Sequence, residues 1–170
     1  MVDVILVNEQ DQVLGQKEKI KAHKDGDLHR AFSVILYNAK GEMFIHKRAT
    51  SKYHCGGLWT NACCSHPFPN EDTAVAANRR LFEELGYSGI DLIEKFSFVY
   101  KSEFDNGLTE HEFDYVFTGV TDNDPPDINK DEIADWKWVS VSELTEDITK
   151  KPGKYTVWFK DIMKRLKPII

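Results

Sequence analysis

Cysteine is scarce in this chain of 170 residues, and the three present, Cys55, Cys63 and Cys64, are an odd number crowded into one segment. That excludes a disulfide framework and suits reduced thiols. Their spacing with His66 also lacks the two paired ligand sets of a structural zinc knuckle. Long apolar runs are missing too. No stretch approaches the roughly twenty residues a membrane-spanning helix needs. The opening "MVDVILVNEQDQVLGQKEK" carries Asp3 and has neither a basic start nor a small-residue cleavage site, so the expected location is the cytoplasm. There is no excess of positive charge: 22 Lys and Arg against 28 Asp and Glu leave −6. This argues against general affinity for nucleic acid or anionic membrane, and any anionic ligand must be met by a local group of cations. Repeats, low-complexity tracts and long linkers are lacking as well. With 41% hydrophobic and 29% charged residues, the expectation is one domain over residues 1–170, and monomer and dimer are both compatible with it.

What is present is a series of runs rich in valine, isoleucine and phenylalanine: Val2–Val7, Phe32–Tyr37, Met43–His46, Phe96–Tyr100, Phe113–Phe117 and Trp136–Val139. Most are closed by turn signals such as "NAKG", "DNG" and "DNDPPD", which predicts a sheet. "NEDTAVAANRRLFEELG" predicts a helix capped by Asn70 or Asp72, striped by Ala74, Ala77, Leu81 and Leu85, and ended by Gly86. "KYTVWFKDIMKRLK" predicts another, with Val157, Ile162 and Leu166 near one face, and "SVSELTED" carries a capping box at Ser140 and Glu143. The pattern is α/β or α+β, a mixed β-sheet flanked by helices.

Three segments carry candidate chemistry. In "TEHEFDYVF" the period of two places Glu110, Glu112 and Asp114 on one face and His111, Phe113, Tyr115 and Phe117 on the other. Taken alone, such a strand most often keeps its acids in water, yet two carboxylates at i, i+2 can converge on one cation. The same spacing in "TNACCSHP" sends Cys64 and His66 to one side and Cys63 to the other, as core packing. With His23 and His29, read as loop residues upstream of the Phe32 strand, three histidines and two glutamates make an N/O set suited to Mg²⁺, Mn²⁺ or Zn²⁺. Arg80 and Glu84 stand four apart in "RRLFEELGY". By default that is a surface pair worth about 0.3–0.5 kcal/mol. Beside Arg48 and Lys52 of "KRATSK" it suggests cations for a phosphate and a carboxylate for Mg²⁺.

"RRLFEELGY" resembles the end of the Nudix box, G-x5-E-x7-R-E-U-x-E-E-x-G-U, with Glu71, Arg79, Leu81, Glu83, Glu84, Gly86 and Tyr87 matching. Ser65 replaces the opening glycine, and Arg80 replaces an acid of the metal-binding motif. These departures, with "LHRAFSVILYNAKGEMFIHKRATSKYHCGGLWTNACCSHP" and "TEHEFDYVF", resemble the type I isopentenyl-diphosphate isomerases of the Nudix superfamily, from His23 to Trp138. The resemblance implies a Nudix-like fold and interconversion of isopentenyl and dimethylallyl diphosphate, with small-molecule substrates and no nucleic-acid or membrane partner. It makes His23, His29, His66, Glu110 and Glu112 ligands of a divalent metal (Mn²⁺, Zn²⁺ or Mg²⁺), and Cys64 with Glu112 the catalytic pair. It implies that Glu84 binds a Mg²⁺ shared with the substrate diphosphate, whose oxygens Lys19, Arg48, Lys52 and Arg80 hold. Tyr100 and Trp158 would line the reacting end and Trp59 would support its floor. A Nudix hydrolase of a nucleotide or prenyl diphosphate, and a non-catalytic module binding metal or diphosphate, are the competing readings.

Overall fold

The structure, a computed structural model, describes residues 1–166. Among them, nine strands join into one mixed sheet. Its centre is β3 (His29–Tyr37), an almost unbroken apolar run of the kind a strand needs when both faces are covered. Alternation along β3 sends Phe32, Val34 and Leu36 to one core and Ile35 and Tyr37 to the other. The first core lies under helix α2 (Thr73–Leu85), which contributes Ala76, Ala77, Leu81 and Leu85. The second lies under α3 (Val141–Lys150) and α4 (Val157–Arg165), which contribute Leu144, Trp158, Phe159 and Ile162.

Two pairings of β3, and a hairpin beside it, position the site. The strand β6 (Cys63–Ser65) runs antiparallel to it with Val34 opposite Cys63 and Ser33 opposite Cys64. Cys63 therefore drops into the α2 core while Cys64 faces the α4 side, as the alternation predicts. The long strand β8 (Thr109–Val120) runs parallel to β3, setting His29 beside Glu112. β7 (Ile93–Glu103) closes an antiparallel hairpin with β8 and sets Tyr100 beside Glu112. β4 (Glu42–Arg48) continues the sheet toward β9 (Ile133–Ser140).

The expected strands all form, five with longer ends and the first beginning one residue later, at Asp3. Two local readings change. His23 and His29 are not loop residues: His23 lies in the short helix α1 (Lys19–Asp25), and His29 opens β3. Glu18 caps α1 by accepting from the backbone N–H groups of Ile20 and Lys21, a signal hidden in a strongly charged segment. The buried face of α4 is Trp158, Phe159 and Ile162, with Val157 and Leu166 only half-buried, because α4 starts at Val157 and the large rings win the core. Lys167, the end of the predicted helical stretch, lies outside the described residues.

Asp72 rather than Asn70 caps α2, accepting from Ala74 N and Val75 N at 3.0 and 3.1 Å. Ser140 caps α3 as the capping-box pattern predicts. Gly86 ends α2 at φ 74°, and a Cβ there would stand 2.8 Å from Asp127 N. Gly86→Ala therefore meets both the left-handed penalty and backbone overlap. We expect urea denaturation to show a loss of about 1–3 kcal/mol, and an unchanged midpoint would contradict the close approach.

Candidate active site

The acids of β8 are not in water. Glu110, Glu112 and Asp114 are 3%, 7% and 1% exposed, and a carboxylate taken out of water must find protons or cations to face. Histidines meet two of them. His23 and His29 sit with Nδ1 at 2.6 Å from Lys19 O and 2.9 Å from Asp27 O. A carbonyl only accepts, so both Nδ1 atoms carry the proton, and in the neutral ring each Nε2 presents a lone pair. Those lone pairs are aimed at carboxylates: His23 Nε2 is 3.5 Å from Glu110 Oε2, and His29 Nε2 is 3.6 Å from Glu112 Oε1. His66 Nε2 joins them, 2.9 Å from Glu112 Oε1 and 3.2 Å from His29 Nε2.

Acceptors facing acceptors in a buried space call for a cation between them. His23 Nε2 and Glu110 Oε2 are both buried without a hydrogen-bond partner. One ligand atom from each of His23, His29, His66, Glu110 and Glu112 falls within 4.8 Å of every other. The donor set of three imidazoles and two carboxylates suits a divalent cation, and the Nδ1-to-carbonyl bonds are the outer contacts that orient such ligands. Burial lowers the His66 imidazole to about 4 against the pull of Glu112. Burial also works against charge on Glu112, but contacts with Glu110, His29 and His66 outweigh it and hold that carboxyl well below the usual range. His111, by contrast, turns away and bonds Gly26 O.

The cluster forms one wall of a cavity of about 260 Å³. Cys64, Tyr100 and Trp158 line the same cavity. Tyr100 Oη donates to Glu112 Oε2 at 2.7 Å. Cys64 Sγ donates to Asn61 Oδ1 at 3.0 Å and accepts from Trp158 Nε1 at 3.0 Å. Both N–H groups of Asn61 are engaged by the carbonyls of Val34 and Cys63, which fixes its oxygen toward the thiol. Burial, with Asp114 adding to it, pushes the Cys64 thiol up to about 12, so at neutral pH it is protonated.

The cavity is also rich in cations. Lys19, Arg48, Lys52 and Arg80 all line it, with Glu84 and Glu132 among them. Arg80 Nη2 reaches Glu84 Oε1 at 2.6 Å, and Glu84 is 4% exposed, so this is no surface pair. Lys52 bonds Glu132 at 2.6 Å, while burial, with Lys52 adding to it, lowers the Lys19 ammonium. Glu84 is outside the five-residue cluster and faces it across the cavity. Trp59 lies behind the lining, next to the lining residue Thr60, packed on the α4 core under Lys137 with Lys47 as its strand partner.

Residues 27–159 match the NUDIX domain family. The chain is 48% identical to an isopentenyl-diphosphate delta-isomerase of Aromatoleum aromaticum over 163 residues, covering 96% of this chain and 85% of that one. It is 43% identical to the isopentenyl-diphosphate delta-isomerase of Pectobacterium atrosepticum over 166 residues, covering 98% and 92%. The chain belongs to the isopentenyl-diphosphate delta-isomerases of the Nudix family. Solved structures agree on the fold. A Deinococcus radiodurans protein superposes with a TM-score of 0.81 at 21% identity, covering 98% of this chain and 99% of that one. A MutT protein from Methanosarcina mazei gives 0.64 at 18% identity, covering 81% and 91%.

Of the thirteen expected site residues, the thiol, carboxylates, rings and cations share one cavity with His66, and only His23 and His29 stand behind its surface. Sequence reasoning missed His54, Glu132, Ser33 and Asn61. His54 and Glu132 lie in irregular segments where no period marks which way a side chain points.

His46 also lines the cavity, 3% exposed, with Nδ1 3.1 Å from Ala62 O. Burial, with Arg48 adding to it, lowers it from 6.5 to about 3. The folded state thus excludes a proton that the unfolded chain binds below pH 6.5, so stability present above that pH is lost as pH falls toward the folded value. Between pH 7 and 5 we expect His46 to account for a loss of about 2 kcal/mol. Urea titrations of wild type and His46→Asn check this: equal losses in both would refute the assignment.

Proposed function

We propose that this chain, acting as one domain, interconverts isopentenyl and dimethylallyl diphosphate by moving one proton onto the carbon skeleton and another off it. The observation that carries the reading is one cavity lined both by four cations and by a thiol with a carboxylate-tyrosine pair. Family membership supports the same reaction. Lys19, Arg48, Lys52 and Arg80 hold the diphosphate, whose charge they match. This anchors the five-carbon chain toward Cys64, Glu112 and Tyr100.

At that end the terminal methylene carbon gains a proton as the double bond opens, leaving positive charge on the tertiary carbon. A proton then leaves carbon 2 and its electron pair forms the new double bond. Cys64 and Glu112 exchange the acid and base roles between the two directions, since reversal of the reaction reverses each transfer. The protonated thiol and the ionised carboxylate supply one group of each kind. Asn61, Ser33 and Trp158 position the thiol, and Tyr100 positions Glu112. The faces of Trp158 and Tyr100 stabilise the cation by about 2 kcal/mol or more in a desolvated site and keep water from it. A divalent cation held by His23, His29, His66, Glu110 and Glu112 would fix and tune the Glu112 carboxyl group, and a Mg²⁺ at Glu84 would share the diphosphate charge.

Proton and phosphorus NMR with isopentenyl diphosphate and Mg²⁺ in D₂O test the proposal. Dimethylallyl diphosphate carrying solvent deuterium, with the diphosphate intact, is the expected product. Released phosphate would replace isomerisation with Nudix hydrolysis, and an unchanged substrate with loaded metal would leave a binding module. In the same assay Cys64→Ala and Glu112→Gln should each lose about 10²–10⁴-fold in turnover. Cys63→Ala, in the α2 core, should turn over nearly as wild type while unfolding at a lower urea concentration. Equal catalytic loss in all three folded variants would contradict the separation of the two cysteines.

A further inference from the structure

His54 was not singled out by any sequence pattern, yet its ring is 6% exposed at the meeting point of the histidine-carboxylate cluster and the aromatic wall. Its Nε2 lies in ion-pair contact with Glu110 Oε1, and both ring nitrogens are otherwise buried without a hydrogen-bond partner. The ring stacks on Phe104 at 5.0 Å with an interplanar angle of 12°, and stands edge-on to Tyr53 at 4.4 Å and Trp158 at 5.8 Å. The backbone around it is pinned from two sides. Arg48 Nη2 donates to His54 O at 3.3 Å, and Asn106 Nδ2 donates to Tyr53 O at 2.7 Å. A ring needed only for packing has no reason to be an imidazole in such a place, since burying its nitrogens is unfavourable without polar contacts.

The two oxygens of Glu110 are divided. Oε1 faces His54, while Oε2 faces His23 Nε2 and is buried with no hydrogen-bond partner. A carboxylate rotates about its terminal torsion unless one oxygen is held, and metal-ligating carboxylates are commonly held by an outer hydrogen bond. His54 itself is not among the residues whose ligand atoms converge. We infer that His54 is a positioning residue that holds Glu110 Oε1 so that Oε2 points into the divalent-cation site. The inference rests on the metal-site reading above.

The test separates donor from packing. Metal-free wild type, His54→Gln and His54→Phe, each checked for fold by circular dichroism, are titrated with Mn²⁺ alone against a chromophoric chelator. His54→Gln keeps an N–H donor and loses the ring, whereas His54→Phe keeps the ring and loses the donor. We expect one equivalent of Mn²⁺ on wild type, near wild-type affinity in the Gln variant, and 10–100-fold weaker binding in the Phe variant. We also expect kcat of the Phe variant to return close to wild type at saturating Mn²⁺, since the residue acts through the metal ligand. Should the Phe variant not fold, His54→Leu takes its place. Mn²⁺ bound by wild type and equally tightly by the Phe or Leu variant would overturn the role of His54 while leaving the site intact. Gln and Phe variants weakened alike would reduce His54 to a wall residue and overturn it too. Absence of Mn²⁺ binding by folded wild type would instead overturn the metal-site reading, and the inference with it.

Discussion

Burial of the acidic face of β8 is the constraint around which the rest of the molecule is arranged. Three carboxyl groups at i, i+2 and i+4 enter the protein on the side where Val116 joins the α4 core. Unanswered, they would be strongly unfavourable. Each has different neighbours. Glu110 faces His54 with one oxygen and, across the proposed cation site, His23 with the other, while Glu112 has His29, His66 and Tyr100. Asp114 has Ser33 at 2.8 Å, and burial, with Glu112 adding to it, pushes its carboxyl well above the usual range. Two acids two residues apart on one strand are therefore pushed in opposite directions, Glu112 toward the ionised form and Asp114 toward the protonated one.

The same logic explains why the two cysteines are unlike. Pairing of β6 with β3 carries the alternation of β3 across to its neighbour, so Cys63 shares the fate of Val34 and Cys64 that of Ser33. Ser33 in turn bonds both Cys64 and Asp114. A small hydroxyl in an otherwise apolar central strand thus joins the thiol side of the pocket to the carboxylate side. A larger residue there would separate the two halves, and an apolar one would leave Asp114 without its hydrogen bond.

Much of this was legible in the residues. The period of two assigned the faces of β6 and β8 correctly, and the helix α2 was marked at both ends by Asp72 and Gly86. The five-residue N/O set converges as read. Other features were not local. Whether Glu110, Glu112 and Asp114 face water or a core depends on α4 lying over them, and nothing inside "TEHEFDYVF" encodes that. His23 was hidden because α1 is only one to two turns long, too short for a period to declare itself. His54 gained its place from Phe104 and Glu110, both far away in the chain.

The order of the ligands along the chain has a bearing on synthesis. The cation ligands lie between His23 and Glu112, and all the strands that carry them pair through β3. Trp158, which bonds Cys64 and stands over the same cavity, belongs to α4 near the end of the described chain. Translation therefore delivers the ligand set first and the indole that covers it last. Until α4 emerges from the ribosome, the segments that carry the ligand set lack the helix that covers them in the folded protein.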